Sequence, residues 1–227
     1  MKDVIPESVF RAIQVHLRQR TAFAERGWPA GEYDEDTLTG DFGASLRTPD
    51  WIDSKQDGVH YQWRVIYKKT RGKGTEAAEK RTGADGVFQV EVQPHNDSLL
   101  VYYKGILFQA KKHAGSSRSD LIHQVENMEQ IAPGGSALFE FGPEGYRGAA
   151  GRVILADKER NPTRIPHPDE PLGNFLADQF LPCGAGLRGM YYDFAQKTLL
   201  VPQEGIVKRI SLRNLIEVKV RRRKRER

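Results

Sequence analysis

The chain has a single cysteine, Cys183, in 227 residues, which rules out an intrachain disulfide and a thiolate-built zinc site. Long apolar runs are missing as well. None approaches the roughly 18 residues that a membrane-spanning helix requires, and mean hydropathy is −0.60 with 29% charged residues. No membrane association is expected. The opening MKDVIPESVF has an acid at Asp3 and lacks the apolar stretch of a secretory signal, which together with the lone cysteine leads to the expectation of a cytoplasmic protein. The glycines of RGKGTE are not followed by Gly-Lys-Ser/Thr, so no phosphate-binding loop is read there. Ser116 and Ser117 lie in a polar turn, not in a strained strand-to-helix elbow, which removes a Ser-His-Asp reading. The six histidines are scattered along the chain without metal-ligand spacing, and His113 reads as a surface residue or a phosphate contact.

An excess of positive charge is also absent from the body of the chain. Six of the 35 basic residues and one of the 30 acidic residues fall in the last seven positions, RRRKRER, leaving 29 of each sign in the other 220. The net charge of +5 therefore resides in the tail. Such a tail, which includes Arg221, Arg222 and Arg223, can neutralise phosphates without reading sequence, or simply stand solvated.

Hydrophobic periodicity supplies the elements. PESVFRAIQVHLRQRTAFAERG predicts a helix, with Pro6 allowed in its first turn, Val9, Ile13 and Leu17 on one face and Gly27 as the stop. A second helix is expected over 32–46, ending before Thr48-Pro49. HYQWRVIYKK (60–69) has the composition of a strand, and RGKGTEAAEKRTG reads as a loop or short helix. GADGVFQVEV (83–92), SLLVYY and GILFQAKK (within 98–112) read as mostly antiparallel strands. SRSDLIHQVENMEQI (117–131) is an amphipathic helix closed by Pro133-Gly134; SALFEF and RVILA read as strands, PLGNFLADQFL as a short helix, KTLLVP and LIEVKV as strands. The expectation is an α/β fold forming one unit over 1–220, a central mixed sheet flanked by helices, followed by the 221–227 tail.

A metal-dependent phosphodiesterase needs two or three oxygen ligands and a fixed positive charge nearby. Residues i and i+2 of a strand share a face, so Gln109 and Lys111 of ILFQAKK present an amide and an ammonium together, while Ile106, Phe108 and Ala110 pack behind. Asp85, 24 residues upstream after the Gly83-Ala84 turn, is placed beside the amide if one hairpin closes between them. On the second helix, Glu35, Leu38, Phe42 and Leu46 form one narrow stripe, which puts Glu35 on the core-facing side and leaves Asp34 and Asp36 solvated. A cation is one partner for such an acid; an arginine or a cap position is another. Two further acid-x-Lys triplets compete. Asp53-Ser54-Lys55 reads as a polar loop, and Glu217-Val218-Lys219, with Asp193 upstream, lacks a comparable turn and acidic helix.

The order EDTLT (35–39), GAD (83–85), QAKK (109–112) and QVENM (124–128) resembles the restriction-endonuclease-like PD-(D/E)xK nuclease superfamily, in particular the Mrr-like enzymes and anti-phage effectors that carry Gln in place of the last acid. The resemblance covers about residues 30–145 and leaves about 146–220 as a C-terminal elaboration. It implies that Asp85 is the central metal ligand and Gln109 a ligand or water-positioning group. Lys111 is then the stabilising cation and Glu35 an auxiliary ligand, with Mg2+ or Mn2+ as the metal. Because Gln replaces an acid, Glu79 is held as a reserve ligand. Lys112, Lys104 and Arg118 flank the site and suit contacts to a nucleic-acid backbone. The resemblance further implies a DNA endonuclease of antiviral defence. Control by a sensor or ATPase partner is expected because the chain shows no evident recognition or nucleotide-binding module, and double-strand cutting favours a dimer, since one such site cuts one strand. The alternatives are a noncatalytic binding subunit with the same fold and an RNA-directed nuclease.

Overall fold

Strict alternation on the central strands gives this chain two cores, one on each side of a sheet. The computed structural model describes all residues except 2, 29–33, 71–81, 95–99, 114–117, 163–165, 203–204 and 224–227. The helices are α1 (Glu7–Glu25), α2 (Glu35–Leu46), α3 (Arg118–Ile131), α4 (Gly151–Arg160) and α5 (Leu172–Asn174), the last running on as a π-helical segment, Phe175–Phe180. The strands are β1 (Ile52–Gln56), β2 (Val59–Lys69), β3 (Gly86–Gln93), β4 (Tyr102–Lys112), β5 (Ser136–Gly142) and β6 (Gly145–Ala150). There follow β7 (Glu170–Pro171), β8 (Leu187–Arg188), β9 (Tyr191–Asp193), β10 (Thr198–Val201), β11 (Ile206–Arg209) and β12 (Asn214–Arg222).

The main sheet has nine strands in the order β1-β2-β12-β3-β4-β5-β6-β7, with β8 paired to β4. β3 and β4 are antiparallel, whereas β4 and β5 are parallel and joined by the α3 crossover. On one face Phe88, Val90, Ile106, Phe108, Ala110, Phe139, Ile216 and Val218 pack against Ile13 and Leu17 of α1, Leu38 and Phe42 of α2 and the π-helical segment. On the other, Val87, Leu107, Leu138 and Leu215 meet Ile122, Val125 and Met128 of α3, Ile154 of α4, and a three-stranded sheet β11-β10-β9 through Tyr192 and Leu199. The α/β class and the helix-flanked mixed sheet follow the pattern of the sequence. Among the described residues no helix is long and apolar enough to cross a membrane.

Several expectations need correction. RVILA is not a strand but lies in α4, where Ile154 is buried and Val153 is 52% exposed, one inward position per turn. Its basic last turn, Lys158 and Arg160, complements the helix dipole, a signal outweighed in the sequence by four consecutive apolar positions, 153–156. Asp53-Ser54-Lys55 belongs to the edge strand β1, paired with Gln62, Tyr61 and His60 of β2. The C-terminal residues are no appendage to a 30–145 core. β12 lies between β2 and β3, antiparallel to the first and parallel to the second, in the middle of the sheet.

This placement predicts the pattern of core sensitivity. Ile216→Ala in β12, fully buried, is expected to cost about 2–5 kcal/mol in urea denaturation. Val207→Ala on the outlying β11, 61% exposed, should stay within about 0.5 kcal/mol.

Candidate functional site

Asp85 extends β3 by one residue, and its backbone is tied on both sides. Its N–H donates to the Phe108 carbonyl of β4 at 2.9 Å, and its carbonyl accepts from Asn214 N at 3.1 Å and Asn214 Nδ2 at 3.2 Å. Asn214 is itself held by Tyr67, whose hydroxyl donates to Asn214 Oδ1 at 2.8 Å. Burial, and secondarily the Asp36 and Asp41 carboxylates, push the Tyr67 phenol above its ordinary value, so it remains a donor across the physiological range. Two glycines make the approach possible. Gly83 has φ +69°, and a Cβ there would lie 2.2 Å from the Gln124 carbonyl of α3, so only glycine lets the helix backbone sit on this turn. At Gly86 a Cβ would fall 2.6 Å from both the Asn214 carbonyl and the Phe108 ring.

The side chains form two hydrogen-bonded pairs along the end of β4. In the first, Asp85 Oδ2 accepts from Gln109 Nε2 at 2.6 Å and from the Ala110 N–H at 2.8 Å. Asp85 is 8% exposed and Gln109 fully buried. Gln109 spends its amide nitrogen on Asp85 and on the Ala110 carbonyl, and its Oε1 is buried with no hydrogen-bond donor among the described residues. In the second pair, Lys111 Nζ lies 3.4 Å from Glu35 Oε2, while Glu35 Oε1 accepts from the Lys112 N–H at 3.3 Å. Gln109 and Lys111 thus share a strand face, and the first turn of α2 closes over the strand end.

Glu35 departs from its expected place. It is half-buried, not core-facing; Leu38, Phe42 and Leu46 are the buried members of the stripe. The reason is position, since Glu35 opens the helix and Asp34 is its N-cap, accepting from Thr37 N at 2.7 Å. Asp34 is therefore a cap, and Asp36 pairs with Lys69 at 2.8 Å.

The flanking cations divide. Lys112 lies at the site, with its Nζ 5.6 Å from the Trp28 ring. Lys104 cannot meet a nucleic-acid backbone, because it is fully buried, donates to the Phe180 carbonyl and stacks on that ring. Burial brings the Lys104 ammonium down to about 8. Arg221, Arg222 and Arg223 lie at the opposite end of the sheet. The β3–β12 register runs from Gly86↔Asn214 to Gln93↔Arg221, so about 23 Å of strand separates them from Asp85. Arg118 begins α3, and its side chain lies outside the described residues, as does Glu79.

The rival triplet is a structural network. Glu217 accepts from Gln89 Nε2 at 2.8 Å, and Lys219 lies 2.9 Å from Glu91 and 3.4 Å from Glu217. Burial alone would depress the Lys219 ammonium, yet Glu91 and Glu217 hold it above its usual value. Asp193 takes no part; it accepts from Ala195 N and Gln196 N in a turn.

One cluster runs against expectation. His113 Nδ1 lies 2.9 Å from Glu140 Oε1 and His167 Nδ1 2.6 Å from Glu140 Oε2, so two of the scattered histidines converge on one carboxylate. Glu140 carried a readable signal, an acid within the otherwise apolar strand SALFEFG. His167, 54 residues beyond His113, carried none.

The donor set at Asp85 is its carboxylate and the Gln109 amide oxygen, whereas Glu35 is engaged in a separate pair with Lys111 and the Lys112 N–H. The set fits a hard cation such as Mg2+ or Mn2+. No family model, curated protein or solved structure matches this chain.

The geometry separates structural from exposed members. Asp85→Ala leaves Gln109 Nε2 and the Ala110 N–H without their acceptor and is expected to cost about 1–3 kcal/mol in chemical denaturation. Lys111→Ala leaves a solvent-reachable Glu35 and should cost less than about 1 kcal/mol.

Proposed function

We propose that the chain is a metal-dependent nuclease, with DNA as its first substrate class, acting at Asp85, Gln109, Lys111 and Glu35. The observation that carries this reading is the buried Gln109 Oε1, which has no donor among the described residues and sits on the residue that binds the Asp85 carboxylate. Leaving such an oxygen unsatisfied costs about 1–3 kcal/mol. A cation shared with Asp85 cancels that cost. The restriction-endonuclease-like assignment of the fold belongs to the same proposal.

On this reading Asp85 and Gln109 would hold Mg2+ or Mn2+ through oxygen, with Glu35 as the auxiliary acid, and such an ion would supply charge compensation at the phosphoryl group and a more acidic water. Lys111 places an ammonium against the anionic phosphate, and Glu35 keeps that ammonium aimed while the site is free of substrate. Ala110 N and Gln109 Nε2 fix the carboxylate orientation, so little is left to reorganise when phosphate arrives. Hydrolysis then adds water oxygen to phosphorus, breaks one P–O ester bond and delivers a proton to the leaving oxygen.

Control by a sensor or ATPase partner, a role in antiviral defence and a dimer for double-strand cutting are parts of this proposal. The first is motivated by the absence of an evident recognition or nucleotide-binding module in the sequence, the second by the family resemblance, and the third by the need for two such sites to cut two strands. Binding without cleavage is the second reading, favoured by one feature. The Trp51 ring carries Arg64 at 4.4 Å and Arg221 at 3.9 Å, a cation-flanked aromatic at the tail end of the sheet.

The test is digestion of supercoiled plasmid and single-stranded RNA in parallel, with Mg2+ or Mn2+ and an EDTA control. Asp85→Asn and Lys111→Ala should each lower cleavage by at least about 100-fold while leaving the circular dichroism spectrum unchanged. A wild-type chain that cleaves neither polymer with either ion even with its partner present, or an Asp85→Asn chain that cleaves at the wild-type rate, refutes the enzyme reading. Complete digestion by the purified chain alone at physiological salt contradicts obligatory partner control.

A further inference from the structure

Three rigid pieces of backbone carry the His113–Glu140–His167 cluster. Glu140 projects from β5, where its register partners are Lys111 on β4 and Arg147 on β6. His113 follows β4 directly, and its N–H donates to the Phe141 carbonyl at 2.8 Å, extending the ladder by one step. Gly142 leaves room for it, since a Cβ there would lie 3.0 Å from His113 Cβ. His167 is flanked by the buried Pro166 and Pro168, which restrict its backbone. Arg147 Nη1 donates to the Asp169 carbonyl at 2.7 Å and ties that segment to β6.

We propose that His113, Glu140 and His167 form a binding site for a borderline transition-metal dication of the zinc class. The donor set is two imidazole nitrogens and one carboxylate, and the three ligand atoms already lie within 4.8 Å of one another. A tetrahedral ion at about 2.0–2.1 Å from each nitrogen requires those atoms to draw in toward one another. Glu140 forms the floor at 9% exposure, whereas the His113 and His167 side chains are 47% and 34% exposed. The ion is therefore held on three sides, and its remaining positions open to solvent, available to water or a phosphate oxygen. Nitrogen donors select against Mg2+ and Ca2+ and for Zn2+, Co2+ or Ni2+. This separates the cluster chemically from the all-oxygen set at Asp85 and Gln109, although both lie on one face of β4 and β5. The proposal stands whether or not the chain cleaves nucleic acid.

The probes are Zn2+ by calorimetry and Co2+ by visible absorption, titrated into the full chain. Wild type is expected to bind one equivalent, with Co2+ bands of tetrahedral or five-coordinate type, and a tenfold excess of Mg2+ should leave binding in place. Glu140→Gln, His113→Ala and His167→Ala should each weaken binding at least tenfold. Both histidines are partly exposed, so these variants should fold, and His113→Gln and His167→Gln repeat the test with less change in volume. His123→Ala, on an exposed position of α3, should bind as wild type does. No binding by wild type, unchanged affinity in the folded Glu140 and histidine variants, or displacement by Mg2+ would each overturn the site.

Discussion

A buried carboxylate must be held by donors, and for Asp85 those donors come from the strand beside it. Gln109 Nε2 and the Ala110 N–H both point at Asp85 Oδ2, while Asn214 on β12 grips the Asp85 carbonyl. Three strands therefore meet at this residue. Antiparallel β3–β4 pairing sets which β4 residues face it, and parallel β3–β12 pairing brings Asn214 within reach. Through Gly83, α3 rests on the same turn, and through Glu35, α2 closes over the end of β4. Disturbing any of these elements moves the carboxylate.

The same constraint explains why one atom is left over. Gln109 has a nitrogen end and an oxygen end, and once the nitrogen is committed to a carboxylate the oxygen must find a donor or a cation. Among the described residues no group supplies that donor. Glutamate at this position would repel Asp85 in the absence of metal. Glutamine instead makes a hydrogen-bonded pair with Asp85, at the expense of one formal charge.

Much of this was legible because it was local. The i, i+2 relation of Gln109 and Lys111 and the apolar character of Ile106, Phe108 and Ala110 follow from the period of a strand. The long-range facts were not legible. Nothing in LIEVKV says that it will insert between β2 and β3, since a buried central strand looks the same wherever it pairs. RVILA could be read with either period, and its place in α4 is decided by which residues the core accepts. Glu35 shared the stripe of α2, but a residue in the first turn lies at the rim even when its face points inward. The histidine cluster depends on β5, β6 and a proline-bounded segment that meet only in three dimensions.

The most direct measurement is an anomalous difference map from a crystal grown with Mn2+. The account predicts a peak within about 2.0–2.3 Å of both Asp85 and Gln109 Oε1, with the amide nitrogen still turned toward the carboxylate. A map in which Mn2+ is absent from this position, with Gln109 Oε1 accepting instead from a protein group, would contradict it.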